Sequence, residues 1–238
     1  MITPTQKQLF TKSSQSGFTI IESLIAVIVV SILMAAIAPA IALSVATRVQ
    51  ARRIEQASQA ARVYVDGVKA GTVVVPLHTV TLSEVNTTTK AFTSQRATFA
   101  ATAPPTAGSL SCASPTTGPD AGATTNYYCT NTTTSSLYCI NGDETAGCNS
   151  DSNKDLIIQS FRTTELQNYL LGVRVYRVDG FKTSVAFDNP NPSGQPTQQA
   201  TFTGGLGKLK FPLLQMTTEI TGTQPGYRDY CSRLGGCT

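Results

Sequence analysis

Histidine is almost absent from this chain, and its scarcity restricts the chemistry that the sequence can support. The one histidine, His78, lies between Leu77 and Thr79 in a strand-like stretch, and no recognisable nucleophile motif accompanies it. A Ser-His-Asp site is therefore not supported, and His78 is interpreted as a structural residue. The sequence shows no other catalytic constellation, so we expect no enzymatic activity, no catalytic residues and no cofactor.

Charged residues are also few, and they are unevenly placed. They make up 13% of the chain against 41% hydrophobic residues, a balance that argues against a wholly disordered protein. Lys and Arg are absent from Ala97 to Asn153, whereas Ser44–Ala70 carries five basic and two acidic residues. This distribution does not indicate a uniformly basic surface, and we expect no nucleic-acid partner.

Cysteine is absent before Cys112, and the six cysteines lie between residues 112 and 237. An even number in Thr-, Ser- and Gly-rich sequence is typical of disulfides in an oxidising compartment. The chain has no Cys-x-x-Cys pair and His78 is remote, so we expect no metal site. Sequence alone leaves the connectivity open, but local pairing is favoured. Pairing of cysteines that are neighbours in the sequence gives three candidate disulfides: Cys112–Cys129, Cys139–Cys148 and Cys231–Cys237.

A long apolar run near the N-terminus contributes much of the hydrophobic content. It extends from Phe18 to Val45, and at ~1.5 Å per residue about 20 residues suffice to cross the ~30 Å hydrocarbon core of a bilayer. An ordinary secretory signal has an apolar core of about 7–15 residues and is cut after it. Here the obvious junction, Gly17–Phe18, precedes the run. The run contains one acid, Glu22, and also Pro39, near which we expect a kink or local melting of the helix over residues 35–39.

The helical pattern continues beyond the apolar run with two distinct faces. Polar and charged residues recur every three or four positions at Arg48, Arg52, Glu55, Gln59, Arg62, Asp66 and Lys69. Small, aliphatic and aromatic residues recur with the same period at Ile54, Ala57, Ala61, Tyr64 and Val68. The pattern predicts an amphipathic helix with one face for a globular domain. Gly71 is the expected stop, with Pro76 shortly after it.

The rest of the chain has loop-like and strand-like patterns. Residues 87–153 are rich in Thr, Ser, Ala, Gly and Pro and predict long, crosslinked loops. Asp179–Gly180 lies between two strand-like runs and predicts a tight hairpin. The expected fold class is α+β: a long N-terminal helix, transmembrane and then amphipathic, packed on a small antiparallel β-sheet with disulfide-held loops. Strand signals occur in "TVVVPLHTVTL", "LIIQSFRT", "YLLGVRVYRV", "FKTSVAFD", "QATFTG" and "KLKFPLLQMTTEIT".

One acidic stretch has both a functional and a plain interpretation. Asp151, Asn153 and Asp155 alternate like the start of a calcium-binding loop. The sixth position of that loop is Leu156 instead of Gly, and no Glu stands at the twelfth. A polar turn without a metal is the alternative.

Two further groups of side chains are open to two interpretations. Arg48, Arg52 and Arg53 follow the apolar run, where they would contact anionic lipid headgroups or form a solvated helix face. Tyr127–Tyr128 and Tyr138 lie in the cysteine-rich region, where they would stack on sugars or a partner, or pack in an ordinary core.

Residues 14–43 contain a more specific pattern: Gly followed by Phe, an acid four residues beyond the Phe, and a proline within the apolar run. The stretch "SGFTIIESLIAVIVVSILMAAIAPAI" resembles the class III leader and transmembrane helix of type IV pilins and secretion pseudopilins. The resemblance implies that a prepilin peptidase cuts after Gly17 and that Phe18 is N-methylated. It divides the chain into a leader, 1–17, a long helix, 18–71, transmembrane in its first half, and a globular periplasmic or extracellular pilin-like domain, 72–238.

The resemblance also implies assembly roles for Glu22 and Pro39. In a filament, Glu22 would pair with the freed α-amino group of Phe18 from a neighbouring subunit, because both ions are costly in lipid when unpaired. The plain alternative is that Glu22 lies at the membrane interface, favoured there by the positive end of the helix dipole.

The stretch "LSVATRVQARRIEQASQAARVYVDGVKAG" is similar to minor pseudopilins of cyanobacteria that serve hormogonium polysaccharide secretion. The resemblance implies a structural subunit of a filament like a type IV pilus or a type II secretion pseudopilus, supporting polysaccharide secretion and motility. Expected partners are other pilin subunits through the N-terminal helix, prepilin peptidase, the inner-membrane assembly platform and membrane lipid. We expect a single-pass inner-membrane protein with a periplasmic C-terminal domain, which later enters a periplasmic or cell-surface filament. The alternative is an adhesin-like pilus-tip subunit that binds a glycan or a surface.

Overall fold

The structure is a computed structural model in which two compact units make up the chain. The N-terminal unit is Met1–Val45 and the C-terminal unit is Ala46–Thr238. One helix, α1 (Ile20–Ala70), contributes residues to both. The described residues are 17, 19–81, 99, 102–116, 121–122, 126–131, 137–145, 147–164, 168–188 and 208–222.

In the N-terminal unit, α1 begins at a side-chain cap and then exposes apolar residues all round. The backbone N–H of Glu22 donates to Thr19 Oγ1 at 3.3 Å, so Thr19 is the N-cap and Glu22 is the third helical residue. The exposed fraction of Ile20 is 88%, and the aliphatic side chains that follow are exposed as well. Among the described residues, α1 is the one helix long and apolar enough to cross a membrane, by length and composition.

The helix continues through Pro39. The expected local melting over residues 35–39 is therefore wrong, while a kink there stays a prediction. Proline removes one backbone donor, which deprives a single carbonyl, that of Ala35, of its helical partner. The hydrogen bonds of the neighbouring residues are sufficient to continue the helix on both sides.

In the C-terminal unit, the second half of α1 buries the predicted face. Ala57, Ala61, Tyr64 and Val68 are buried, while the charged positions from Arg48 to Lys69 at helical spacing are exposed, which confirms the amphipathic pattern.

The helix ends as predicted, at Gly71, whose φ of 71° is the left-handed conformation that glycine adopts without strain. The N–H of Gly71 donates to the carbonyl of Val68 and the N–H of Thr72 to that of Gly67, the two bonds of a Schellman motif.

A seven-stranded sheet packs against this part of α1, which confirms the α+β class. Six strands run in the order β2-β3-β4-β5-β6-β7, and every neighbouring pair is antiparallel. The short β1 pairs in parallel with the last residues of β5, beyond the point where β4 ends. The strands are β1 (Thr79–Val80), β2 (Ser111–Ala113), β3 (Asn126–Thr130), β4 (Leu137–Ile140), β5 (Leu156–Thr163), β6 (Tyr169–Arg177) and β7 (Leu214–Ile220).

Two expectations about the sheet are wrong. The region 87–153, expected to be loops, supplies three strands, because β2, β3 and β4 are short runs of three to five residues that pair in sequence onto β5. The expected hairpin at Asp179–Gly180 is a 3₁₀ helix, Val178–Phe181, and residues 182–188 form no strand. Phe181 and Phe187 pack against each other with ring centroids 4.6 Å apart, which draws this segment across the sheet. The stretch "QATFTG" lies outside the described residues.

Both faces of the central strands β5 and β6 are buried. Side chains of β5 and β6 alternate between the faces, and those on one face, such as Ile158 and Val173, pack with α1. Those on the other face, such as Ile157 and Tyr176, pack with Phe181 and with loop residues. Seven of the eight residues of β5 are buried, as expected of a strand that is covered on both sides.

Candidate functional site

The start of α1 carries the residues expected to be processed and to direct assembly. Gly17 is exposed, and a β-carbon added to it would meet none of the described atoms within 4 Å. Phe18 lies outside the described residues. Glu22 is exposed and is the acidic residue of the first turn, where the helix dipole favours a negative charge.

The sequence Thr19-x-x-Glu22 has the form of a capping box. In this arrangement the cap side chain binds the N–H of the third helical residue, as Thr19 does here. A capping box accepts Gln as well as Glu at that position, whereas pairing with a neighbouring amine requires the charge. The geometry therefore provides a way to separate the two interpretations of Glu22.

Other polar side chains of the apolar run are satisfied inside the helix. Ser23 Oγ donates to the carbonyl of Ile20 at 2.8 Å, and Ser31 Oγ donates to that of Val27 at 2.7 Å. An unsatisfied hydroxyl is costly in hydrocarbon, so these bonds suit the helix to lipid. The side chain of Glu22 is the one ionisable group among the described residues 19–45, which distinguishes it from the hydroxyl side chains of the same segment.

The three arginines after the run do not form one surface. Arg48 and Arg52 are exposed, but Arg53 is half-buried. Burial lowers the pKa of Arg53, and the positive charge of Arg177 lowers it further, while Asp179 opposes both effects. Arg53 therefore faces the end of β6, and only the other two arginines remain candidates for contact with lipid headgroups.

The stretch from Asp151 to Asp155 forms a hydrogen-bonded turn. Asp155 is buried, and its two carboxylate oxygens accept the backbone N–H groups of Gly142 at 3.0 Å and Asn149 at 3.2 Å. The carboxylate of Asp151 instead pairs with Lys182 Nζ at 2.6 Å on the surface. Among the described residues, no group of three or more His, Cys, Asp or Glu side chains is placed to hold a metal ion. The polar-turn interpretation of this stretch therefore fits the structure.

Two disulfides lie in the sheet region. Cys112 and Cys129 are bonded and are also direct partners across β2 and β3, so this bond ties the edge strand β2 to the sheet. Cys139 on β4 is bonded to Cys148 in the loop before β5. The third expected pair, Cys231–Cys237, lies outside the described residues.

The tyrosines of the cysteine-rich region are mostly core residues. Tyr127 packs in the cluster on the far side of the sheet, and its hydroxyl accepts the N–H of Gly147 at 2.9 Å. Tyr138 is buried against Tyr64 of α1, with ring centroids 5.0 Å apart. Tyr128 is half-buried and lines an open cavity together with Tyr64 and Tyr138. Ordinary packing therefore accounts for Tyr127, while the other two also form the wall of a cavity.

Sequence patterns did not indicate the buried polar group around Arg174, whose side chain is 0% exposed. Its Nη1 donates to the carbonyl of Thr102 at 2.6 Å and to Gln159 Oε1 at 3.3 Å, and its guanidinium lies 5.0 Å from the ring centre of Phe161. Burial lowers the pKa of Arg174. His78 has a backbone role, since its carbonyl accepts the N–H of Arg162 at 3.0 Å.

Comparison with known proteins bears on the N-terminal segment. No curated protein and no solved structure matches the chain. Residues 12–38 match the family described as the prokaryotic N-terminal methylation motif. The match includes Gly17, Glu22 and the apolar residues up to the one before Pro39. The chain thus carries a class III leader of the type IV pilin-like kind, a motif that indicates a structural subunit processed by prepilin peptidase and anchored by an apolar helix.

Proposed function

We propose that this protein is a minor pseudopilin, a structural subunit of a filament like a type IV pilus or a type II secretion pseudopilus. The observation that carries the proposal is the methylation motif at residues 12–38, which includes the start of a helix with exposed apolar side chains. In this role the leader, residues 1–17, is removed on the cytoplasmic side and Phe18 is methylated. The apolar helix holds the subunit in the inner membrane until an assembly platform adds it to the filament.

Glu22 directs assembly in this proposal. A carboxylate in the middle of a bilayer costs roughly 2.5–3.5 kcal/mol on insertion scales, and an unpaired α-amino group is costly for the same reason. Pairing the two between neighbouring subunits offsets part of both costs and selects one register of docking. Pro39 contributes by weakening the backbone hydrogen bonding of the helix where subunits pack.

The narrower role is support of polysaccharide secretion and motility. It rests on the similarity of residues 43–71 to minor pseudopilins of cyanobacterial hormogonia. A strain that lacks the gene should export less polysaccharide while still exporting proteins, and the wild-type gene should restore export. Normal polysaccharide export in the deletion strain would contradict this role without affecting the broader assignment.

Processing is tested by Gly17→Glu. The variant should accumulate as a full-length precursor in the inner membrane, because a bulky charged side chain occupies the position before the cut. Mass spectrometry should find the wild-type N-terminus at a methylated Phe18. Gln15→Glu adds the same charge two residues earlier and should be processed normally. Mature-sized Gly17→Glu protein would contradict the leader assignment.

Assembly is tested by comparing Glu22→Gln with Glu22→Ala. Both variants should insert and be cleaved, since each removes a charge that is costly in lipid. If Glu22 pairs with a neighbouring amine, both should incorporate into filaments at least about tenfold less than wild type, equivalent to about 1.4 kcal/mol. If Glu22 serves only the capping box, Glu22→Gln should assemble normally, because Gln also fits that position. Glu55→Ala, which removes an exposed acid from the second half of α1, is the control.

A further inference from the structure

A cavity of about 300 Å³ lies within the C-terminal unit. Its walls come from the end of α1, the segment that follows α1, the region around β2, and the helix-facing side of β3, β4 and β5. The lining residues are Tyr64, Val74, Val75, Pro76, Leu77, Ala113, Ser114, Pro115, Thr116, Tyr128, Tyr138 and Ser160.

The chemistry of the wall is mixed but uncharged. Six of the lining side chains carry a hydroxyl group, and the other six are aliphatic residues or prolines. Among the described residues that line the cavity, none bears a charge. Burial raises the pKa of Tyr64 well above its ordinary value, so this hydroxyl stays protonated and neutral at any physiological pH. An ionic ligand would lose its hydration here without gaining a counter-charge.

The wall is held in place by contacts between distant parts of the chain. Tyr64 OH donates to Ser160 Oγ at 2.7 Å, and the N–H of Val74 donates to Tyr128 OH at 3.2 Å. The ring of Tyr138 lies between the other two tyrosines, with centroids 5.0 Å from Tyr64 and 5.3 Å from Tyr128. A preformed wall lowers the entropic cost of binding.

The mouth of the cavity is accessible and partly apolar. Leu77 is 78% exposed, and Val74 and Val75 are 39% and 37% exposed. Ser114 and Thr116 are exposed as well, so hydroxyls and aliphatic groups meet at the rim. A ligand that enters here would contact apolar surface and hydrogen-bonding groups within a few ångströms of each other.

We propose that this cavity binds a neutral pyranose unit of a saccharide. A pyranose has C–H faces that pack on tyrosine and proline and a ring of hydroxyls that both donate and accept hydrogen bonds, as the lining hydroxyls do. A purely aliphatic ligand would match only the six aliphatic and proline residues of the lining. The volume is at the lower end of the range for small-molecule sites and suits one or two sugar rings. The proposal does not depend on filament assembly.

Saturation-transfer NMR on the full-length chain in lipid nanodiscs tests the proposal. The probes are the neutral sugars glucose, galactose and N-acetylglucosamine. Glucuronate and a short proline-rich peptide are tested separately, as representatives of charged sugars and of peptides. At least one neutral sugar should bind with a Kd of about 1 mM, a weak affinity reasonable for a single ring. Failure of all three sugars to receive saturation at about 10 mM would overturn the proposal. Stronger binding of glucuronate or of the peptide would do so too.

Position is tested by filling the cavity. Ser114→Phe and Thr116→Phe each place a ring at the mouth and should reduce the saturation signal at least about tenfold. Ser184→Phe, at an exposed serine that does not line the cavity, should bind like wild type. Undiminished binding by either cavity variant would overturn the assignment.

In wild-type protein with labelled tyrosines, the sugar should shift the resonances of Tyr128 and leave those of buried Tyr176 unchanged. A shift of the Tyr176 resonances without a shift of those of Tyr128 would also contradict the proposal.

Discussion

At the scale of single residues, Arg174 is a charged side chain that holds other parts of the chain against the sheet. It is fully buried, yet it holds the backbone at Thr102 and the side chain of Gln159, which in turn donates to the carbonyl of Ala103 at 2.7 Å. Its planar guanidinium also lies over Phe161. One side chain therefore fastens the segment around residue 102 to the face of the sheet opposite α1.

Replacing this arginine with lysine should destabilise the protein although the charge is kept. Lys cannot reproduce a planar group that donates in two directions and stacks on a ring. We expect Arg174→Lys to lower the free energy of unfolding by roughly 1–3 kcal/mol, measured by urea denaturation of the whole chain. Arg62→Lys makes the same change on the exposed face of α1 and should stay within about 0.5 kcal/mol of wild type. Equal effects at the two positions would contradict the role given to Arg174.

At the scale of elements, the loop between β4 and β5 is organised by carboxylates that accept hydrogen bonds. Asp143 accepts the N–H of Thr145 at 2.9 Å and the hydroxyl of Ser152 at 2.8 Å. The Cys139–Cys148 disulfide and buried Asp155 close the same loop. Short-range polar contacts thus stabilise the loop, whereas apolar packing stabilises the flanking strands.

The stability of this loop should depend on pH through Asp143. The hydrogen bonds from Ser152 and Thr145 lower the pKa of Asp143 below its ordinary value. Its contribution is therefore present above the unfolded pKa of about 3.9 and is lost as the pH falls through the lower folded value. Asp143→Asn should reduce the unfolding midpoint at neutral pH, and the difference from wild type should narrow below about pH 4.

Glu144→Gln is the matched control, because it removes a neighbouring exposed carboxylate that accepts no hydrogen bond in the described part of the chain. The midpoints of all three proteins should be measured across the acidic range. If the difference in unfolding midpoint between Asp143→Asn and wild type is the same at neutral and at acid pH, the charge of Asp143 does not contribute to stability.

At the scale of the whole molecule, the helix α1 has different physical tasks in its two halves. Most side chains of α1 before Val45 are apolar and all are exposed, whereas Ala57, Tyr64, Val65 and Val68 are buried on the sheet. The compact C-terminal unit therefore begins inside the helix, at Ala46, well before the change in sequence composition at Gly71.

Truncation should separate these tasks. The full chain should resist carbonate extraction from membranes, because its exposed apolar side chains favour lipid. A chain that starts at Ala46 should be soluble and keep both disulfides of the sheet region. A chain that starts at residue 72 should not fold, since it loses buried Val65 and Val68, worth about 1.5–3 kcal/mol each, together with Tyr64 and three buried alanines, and total stability is only about 5–15 kcal/mol. A cooperative thermal transition of the 72–238 fragment would contradict this account.

Features that repeat along the chain were determined by the sequence alone. The apolar run, the two faces of α1 and its stop at Gly71 follow from spacing of three or four residues and from one glycine conformation. The leader pattern around Gly17 and Glu22 is likewise local, and the match at residues 12–38 depends on nothing beyond it. Such features are predictable because they depend only on interactions between residues that are close in the sequence.

Features that need distant partners were decided by the tertiary structure. The strands β2–β4 are only three to five residues long, and they form because each pairs with the next up to β5. Asp179–Gly180 has the chemistry of a hairpin, but buried Phe181 and Phe187 turn the segment into a 3₁₀ helix. The site of Arg174 and the tyrosine-lined cavity join residues more than fifty positions apart. Periodicity cannot reveal them, because burial and hydrogen bonding there depend on which strands become neighbours in space.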